Sequence, residues 1–213
     1  MSDKKIIVTI CGPSTTGKST LANLFKEEGY KEIVSTTTRP MRTGEVEGES
    51  YYFVPNDHFQ HQIANNQLVE HDSVGQYFYG VSKQAISKVL DAGHPAVLVI
   101  TPQGANNVEQ FCLENSIELV KVYVNNKMDL LIERLVQRYA TDVKANDEVY
   151  KDRLWNITMV EPKQWTAKAY SGEHYYDRVF DTFTSNNQHE VFTTIKQIVE
   201  KKLNKSNTPK ARF

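Results

Sequence analysis

Long apolar runs are absent from the sequence, and cysteine is scarce. The longest strongly apolar runs are residues 6–11, which Thr9 interrupts, and residues 96–100. A membrane-spanning helix needs about 20 apolar residues and a signal peptide needs a longer apolar stretch than this, so we expect neither. The two cysteines, Cys11 and Cys112, have no metal-ligand spacing. We expect two reduced, buried thiols in a cytoplasmic protein.

An excess of one charge sign is also absent. The 213 residues include 25 lysines and arginines and 26 aspartates and glutamates, for a formal net charge of −1. A nucleic-acid-binding domain usually carries a strongly basic surface, so we expect no nucleic-acid partner. Hydrophobic residues make up 39% of the chain and charged residues 24%, a balance that excludes a wholly disordered chain.

Strands and helices alternate along most of the chain, which predicts an α/β fold with a parallel sheet and helices on both faces. Continuous apolar runs predict buried strands, whereas apolar residues at helical spacing, such as Leu21, Leu24 and Phe25, predict helices. The predicted strands are residues 5–11, 32–36, 96–101, 119–124 and 178–181. The predicted helices are residues 19–28, 83–92, 104–115, 127–139, 148–170 and 188–203.

The segment of residues 37–80 departs from this alternation. It carries two aromatic clusters and four glycines, and we interpret it as short antiparallel strands around one helix at residues 57–66. We therefore predict a core formed by residues 1–36 and 81–203, with residues 37–80 as a small insert.

Two segments in the last third of the chain lack an apolar period. Residues 139–148 are polar, so we predict a mobile loop there, within a lid of about residues 139–153. Residues 204–213 form a basic tail that we predict to be disordered.

One motif indicates a specific chemistry. Residues 12–19, Gly-Pro-Ser-Thr-Thr-Gly-Lys-Ser, match the pattern of a phosphate-binding loop in full, between a predicted strand and a predicted helix. Backbone N–H groups at the helix start can surround phosphate oxygens, Lys18 can reach the β- and γ-phosphates, and the Ser19 hydroxyl can hold Mg²⁺. We therefore predict ATP and Mg²⁺ as ligands, with the nucleotide bound by Gly12, Pro13, Ser14, Thr15, Thr16, Gly17, Lys18, Ser19 and Thr20.

A second candidate site follows the loop. Arg39 and Arg42 lie three residues apart beside Pro40, in a glycine-rich stretch. Each guanidinium can form paired hydrogen bonds with phosphate oxygens, so the pair suits a clamp for a second phosphate group. A solvated basic turn is the alternative.

The order of these motifs resembles the guanylate kinase family over about residues 5–180. The resemblance implies a P-loop kinase core with a parallel sheet, a small mixed α/β insert that binds a nucleoside monophosphate, and a lid. It implies ATP-dependent phosphorylation of GMP or dGMP by a monomer or homodimer. The matching motifs are the phosphate loop, Ser-Thr-Thr-Thr-Arg-Pro-Met-Arg at 35–42, Gly-Glu-Val-Glu-Gly-Glu-Ser-Tyr at 44–51, Leu-Val-Glu at 68–70, Tyr-Gly at 79–80, and arginines between 134 and 153.

The resemblance also implies roles for residues of the insert. It implies that the base is faced by Ser35 and Glu70, and a carboxylate can accept hydrogen bonds from a ring N–H and an exocyclic amine of guanine together. It implies that the acceptor phosphate is held by Arg39, Arg42, Tyr51 and Tyr79.

Arginines after residue 130 complete the implied site. Arg134 and Arg138 lie four residues apart on one predicted helix face, and Arg153 follows the polar loop. Phosphoryl transfer spreads negative charge over equatorial oxygens, which fixed cations stabilise. The resemblance implies that these three arginines act in catalysis with Lys18 and Arg39, although a salt-bridged helix face would also explain Arg134 and Arg138.

The base pocket departs from the family's usual pattern. The residue after Tyr79-Gly80 is usually Ser or Thr, whose hydroxyl reads the guanine edge, and here it is Val81. Two aspartates usually follow the apolar strand, and here Val99 and Thr101 stand there. We keep Val81 and Thr101 among the substrate-binding positions, and we expect the phosphate clamps to be better retained than the base pocket.

Three alternatives therefore remain open beside a GMP kinase. The acceptor could be another nucleoside monophosphate, including a modified deoxynucleotide, because Val81 cannot hydrogen-bond. Ribose 1,5-bisphosphate is a second alternative, although Arg42 and Tyr51 argue against it. A non-catalytic binding module is a third, although the intact phosphate loop argues against it. Glu45 and Asp72 are the candidates for a carboxylate that supports Mg²⁺.

Overall fold

The structure, a computed structural model, describes residues 4–42, 44–141, 147–171 and 175–205. Its strands are β1 (Ile6–Cys11), β2 (Lys31–Glu32), β3 (Thr36–Thr37), β4 (Tyr52–Phe53), β5 (Leu68–Val74), β6 (Tyr77–Ser82), β7 (Ala96–Val99), β8 (Glu118–Val124) and β9 (Arg178–Phe180). Its helices are α1 (Lys18–Glu27), α2 (Asn56–Ala64), α3 (Lys83–Leu90), α4 (Pro102–Glu114), α5 (Met128–Thr141), α6 (Asp147–Trp155), α7 (Ala167–Ser171) and α8 (Gln188–Lys205). Two π-helical segments, Asn156–Val160 and Pro162–Thr166, lie between α6 and α7.

A parallel sheet of order β2-β7-β1-β8-β9 forms the core, which confirms the predicted α/β class. Every residue of β1 is buried, because this strand pairs with β7 and β8 and is covered on both faces. One apolar cluster packs α1 and α8 on one face, and another packs α3 and α4 on the opposite face. Cys11 and Cys112 are free and buried, as predicted.

The insert contains a second sheet, of order β4-β3-β6-β5. Its β5–β6 and β3–β6 pairs are antiparallel, but β3 and β4 are parallel, so the prediction of antiparallel strands alone was wrong. Parallel pairing needs a connection of about a dozen residues, and residues 38–51 provide one. The predicted strand at 32–36 is in fact two short strands, because the chain leaves the core sheet after β2 and enters the second sheet at β3.

The helix ends differ from the predictions at identifiable residues. Helix α4 begins at Pro102, two residues before the predicted start, because the Thr101 hydroxyl caps it by accepting a 3.1 Å hydrogen bond from the N–H of Gly104. Helix α8 continues to Lys205, so the first two residues of the predicted tail are helical, and residues 206–213 lie outside the described residues.

The predicted lid loop is shorter than the sequence suggested. Helix α5 reaches Thr141 and α6 begins at Asp147, so both ends of the predicted loop at 139–148 are helical, and residues 142–146 lie outside the described residues. From Asp147 to Ser171 the chain is helical, as predicted, although the middle has π-helical turns. Across the described ranges, no helix is both long and apolar enough to cross a membrane.

Candidate active site

The phosphate loop joins the carboxyl end of the buried strand β1 to the amino end of α1. A Cβ atom on Gly12 would lie 2.0 Å from the carbonyl oxygen of Val124, so no side chain fits there. Gly17 has φ 99°, which favours glycine, and it stands directly before α1. The two glycines of the motif are therefore fixed by a close approach and by a left-handed backbone turn.

The start of α1 presents unpaired backbone donors to the loop. The first helical hydrogen bond runs from the N–H of Leu21 to the carbonyl of Gly17, at 3.1 Å. The N–H groups from Gly17 to Thr20 precede that bond and have no partner within the helix. Together with the positive end of the helix dipole, they form an anion-binding site.

Lys18 lies inside the loop. Its ammonium group donates hydrogen bonds to the carbonyl oxygens of Gly12, at 2.9 Å, and Pro13, at 2.7 Å. Burial lowers the pKa of Lys18 to about 8, the carboxylate of Glu161 opposes that shift, and the guanidinium groups of Arg153 and Arg138 add to it. The position is suited to a cation that meets phosphate oxygens.

Hydrogen bonds hold the crest of the loop, residues 14–16, against α5. The hydroxyl of Thr15 donates to the carbonyl of Leu131 at 2.8 Å. Arg134 donates to the carbonyl oxygens of Thr16, at 3.1 Å, and Thr15, at 3.3 Å. Of the four arginines predicted for catalysis, Arg134 thus contacts the loop backbone and holds the loop in place.

Glu161 is a functional candidate that the sequence analysis missed. Its side chain accepts hydrogen bonds from the backbone N–H of Ser14, at 3.0 Å, and from the Ser14 hydroxyl, at 2.9 Å, although the residue is only 3% exposed. No motif marks this position in the sequence. The one signal was an acidic residue followed by Pro162 in the middle of a long predicted helix.

Cations from three parts of the fold converge beside the loop. Burial and the neighbouring charges of Arg153 and Arg39, with a smaller effect of Arg138, lower the pKa of Arg42 in the insert. Because Arg153 and Arg138 also act on the pKa of Lys18, the charges of these two arginines reach both the phosphate loop and the insert. Like charges brought this close favour an anion between them.

The helix that carries Arg153 also meets the insert. The carboxylate of Asp152 lies 3.5 Å from the place where a Cβ on Gly75 would stand, in the turn between β5 and β6. The insert and the segment that was predicted to form the lid are therefore in contact in this structure.

Arg39 is held rigidly within the insert. It is 6% exposed and donates two hydrogen bonds to the Glu45 carboxylate, at 2.7 and 2.8 Å. Its guanidinium carbon lies 5.1 Å from the ring centre of Tyr51. Burial opposes the charged form, but the hydrogen bonds to Glu45 and the neighbouring phenol groups raise the pKa of Arg39. Its Nε atom is buried and, within the described chain, has no hydrogen-bond partner.

Glu45 also fixes Arg42, because the same carboxylate accepts a 2.8 Å hydrogen bond from the Arg42 backbone N–H. Burial raises the pKa of Glu45, but its hydrogen bonds to Arg39 and Arg42 lower it overall. Both Glu45 oxygens are engaged, so this carboxylate serves the arginine pair. The ring centres of Tyr79 and Tyr51 lie 5.9 Å apart. The four residues predicted to bind the acceptor phosphate are therefore neighbours: Arg39, Arg42, Tyr51 and Tyr79.

Glu70 lies in the insert, where its carboxylate packs against α4 at Gly104. It is 6% exposed, and burial together with the charge of Asp72 raises its pKa to about 8, against a backbone hydrogen bond from Val81. A Cβ on Gly104 would stand 2.8 Å from a Glu70 oxygen, so glycine makes room for the carboxylate. A cavity of about 390 Å³ adjoins Glu70, and none of its other lining residues was predicted to bind substrate: Ile63, Asn66, Leu68, Val69, His71 and Asn107.

The other predicted base contacts are less available. The side chain of Val81 is fully buried in an apolar cluster, and the Thr101 hydroxyl is engaged in capping α4. Ser35 is half-buried at the edge of the second sheet, where its carbonyl accepts a 2.9 Å hydrogen bond from Tyr52. Glu70 is therefore the strongest polar group of the pocket.

Among the described residues, no group of three or more His, Cys, Asp or Glu side chains could hold a metal ion. Ser19, the predicted Mg²⁺ ligand, is exposed in the first turn of α1.

Comparisons with known proteins agree with this arrangement. The family model described as guanylate kinase matches residues 3–202. A guanylate kinase of Mycoplasmoides gallisepticum is 31% identical over 206 residues, which cover 94% of this chain and 95% of that protein. One of Clostridium tetani is 32% identical over 170 residues, covering 76% of this chain and 80% of that protein. The crystal structure of guanylate kinase from Anaplasma phagocytophilum superposes with a TM-score of 0.64 at 26% identity, covering 94% of this chain and 87% of that one.

Proposed function

Because the chain belongs to the guanylate kinase family, as its motifs indicated, we propose that it transfers the γ-phosphoryl group of ATP to GMP or dGMP. The observation that carries this proposal is the contact of the insert, at Gly75, with the helix of Arg153, at Asp152, beside a phosphate loop that holds Lys18. A donor phosphate chain on the loop and an acceptor phosphate on the insert would meet there.

On the donor side, the N–H groups from Gly17 to Thr20 would bind the β-phosphate, and Lys18 would exchange its carbonyl partners for phosphate oxygens. The Ser19 hydroxyl would hold Mg²⁺, which would supply positive charge beside the transferring phosphoryl group. The loop glycines are needed because the backbone itself is the ligand.

On the acceptor side, Arg39, Arg42, Tyr51 and Tyr79 would hold the phosphate of the nucleotide. Glu45 orients the guanidinium of Arg39 and the backbone of Arg42 before any ligand arrives, which reduces the entropy lost on binding. An acceptor phosphate oxygen is already a nucleophile, so the reaction needs no strong general base. Arg138 and Arg153 would stabilise the charge that spreads over the equatorial oxygens, and the closed lid would exclude water.

Guanine is the base that suits Glu70. Its ring N–H and exocyclic amine are both donors, and the two oxygens of a carboxylate accept them together. The buried Val81 supplies no hydrogen bond, so discrimination would depend mainly on Glu70. We propose residues 37–80 as the monophosphate-binding insert and residues 139–153 as part of the lid.

An acceptor panel tests the proposal. ADP release with Mg-ATP is measured for GMP, dGMP, AMP, UMP, dTMP, CMP and ribose 1,5-bisphosphate, with Lys18→Ala as the inactive control. Turnover with GMP or dGMP well above all other acceptors is the expected result. Turnover only with a pyrimidine nucleotide would mean that Val81 has re-specified the pocket, and turnover with none would contradict the kinase assignment.

A further inference from the structure

A buried carboxylate, that of Glu161, fastens the phosphate loop to the long helix that carries Arg153. We propose that Glu161 is a positioning residue, which sets the distance between Arg153 and the nucleotide on the loop and thereby supports phosphoryl transfer without binding substrate itself. This inference rests on the proposed function, and it assigns a role to a residue outside every motif of the sequence.

Two hydrogen bonds join Glu161 to Ser14. One carboxylate oxygen of Glu161 accepts the backbone N–H of Ser14 at 3.0 Å, and the other accepts the Ser14 hydroxyl at 2.9 Å. Hydrogen bonds to a carboxylate are stronger than neutral ones, and burial of a charge is costly unless such bonds compensate it. Because Glu161 is only 3% exposed, the two bonds fix both the loop and the helix.

The shape of the helix explains how this carboxylate reaches the loop. Pro162 has no N–H and would clash with a carbonyl one turn earlier in a regular α-helix. The helix widens instead: the N–H of Glu161 donates to Asn156, five residues back, and that of Ala167 donates to Pro162. Such wide turns change which residues face a neighbour, and they often occur at functional sites. Here they turn Glu161 toward Ser14.

The same helix links Glu161 to catalysis. Arg153 stands two turns before Glu161, with helical backbone between them. On the other side of the loop, Leu131 and Arg134 hold Thr15 and Thr16. The loop crest, residues 14–16, is thus fixed between the two helices that supply the lid arginines Arg138 and Arg153.

The carboxylate leaves the phosphate cradle open. Glu161 binds Ser14, near the start of the loop, whereas the unpaired donors for phosphate lie from Gly17 to Thr20. Loss of Glu161 should therefore disturb the alignment of Arg153 more than the binding of ATP. A carboxylate that blocked the cradle would have the opposite effect, because its removal would tighten ATP binding.

Two variants separate geometry from charge. Glu161→Ala removes both hydrogen bonds. In Glu161→Gln the amide oxygen can accept from the Ser14 N–H and the amide nitrogen can donate to the hydroxyl, so the link is kept without the charge. Glu190→Gln is the matched control, since Glu190 is an exposed residue of α8 and the same charge is removed.

We expect kcat of Glu161→Ala to fall about 10²-fold, because a misplacement of a catalytic group by about 1 Å has that effect on the rate. The KM values for ATP and for GMP should each change less than about threefold. Glu161→Gln should keep kcat within about fivefold of the parent, and the control should match the parent. An unchanged kcat in Glu161→Ala, an equal loss in Glu161→Gln, or tighter ATP binding after either change would each overturn the proposal.

A second readout does not require turnover. Hydrogen exchange of the protein without nucleotide reports the Ser14 amide directly, because its N–H is bound to Glu161. Faster exchange at residues 14–16 in Glu161→Ala than in the parent protein is the expected result. If the parent protein phosphorylated no acceptor, the proposed function would fail while this readout still tested the link, and unchanged exchange would refute the link alone.

Discussion

Protonation of Glu70 should control both the stability of the fold and its affinity for guanine. Burial and the charge of Asp72 raise the pKa of Glu70 from 4.5 to about 8. An unfolded chain would release this proton near pH 4.5, whereas the folded protein holds it until about pH 8. The folded state binds more protons in that window, so its stability falls as pH rises from about 4.5 to 8 and levels off above 8.

The size of the effect follows from the shift. The difference between the two pKa values in Glu70 corresponds to about 5 kcal/mol of lost stability above pH 8, since one pKa unit is about 1.4 kcal/mol. Replacement of Glu70 by Gln removes the titration. The variant should therefore be more stable than the parent at pH 9, by up to about 5 kcal/mol, and nearly equal to it at pH 5.

Guanine binding should show the opposite pH dependence. Because the carboxylate form accepts the two guanine donors, GMP affinity should rise by up to about tenfold per pH unit below pH 8, and then level off. Glu70→Gln should lack the contribution of the carboxylate to this rise. The difference between the parent and variant titrations therefore removes any contribution from the nucleotide's own phosphate. Urea unfolding and GMP titrations from pH 5 to 9 measure both effects, with Glu190→Gln as control. Parallel pH curves for the parent and Glu70→Gln would refute the reasoning.

Other substitutions test the remaining parts of the site. Lys18→Ala should lower kcat by about 10³-fold and leave the Kd for GMP unchanged, because a fixed charge at the transferring group is lost; a retained kcat would contradict this role. Arg42→Ala should raise the KM for GMP about 10- to 100-fold, as expected for a lost charged hydrogen bond, with little change for ATP; equal KM increases for both substrates would remove Arg42 from the clamp. Gly104→Ala should destabilise the fold by about 1–3 kcal/mol and weaken GMP binding, because the new Cβ would stand 2.7 Å from Ile100 and 2.8 Å from Glu70. Denaturation and GMP titration measure the two effects. An unaltered GMP affinity would show that Gly104 does not contribute to the GMP site.

The core and the phosphate loop could be predicted because local sequence determines them. The fully buried β1 appears as an apolar run that only Thr9 interrupts, and the glycines at 12 and 17 are required by close packing and by a left-handed turn. The second sheet was harder, because a two-residue strand such as β3 has no period to detect, and its parallel pairing with β4 depends on the length of the connection between them.

The contacts of the site residues could not be predicted in the same way. The engagement of Thr101 in the α4 cap and the role of Glu45 as the partner of two arginines depend on tertiary distances. Glu161 could not be identified from the sequence for a related reason. Its position facing Ser14 depends on π-helical turns around Pro162, and regular helical spacing does not reveal those turns.

Direct transfer of a labelled phosphoryl group tests the central claim. The parent protein is incubated with γ-³²P-labelled ATP, Mg²⁺ and GMP, and the labelled products are separated. The account predicts that the label appears in GDP, in equal amount to the ADP formed, and that Lys18→Ala slows the transfer by about 10³-fold. Label released as inorganic phosphate, or none transferred although ATP and GMP both bind, would contradict the claim that the converging cations align two nucleotides for phosphoryl transfer.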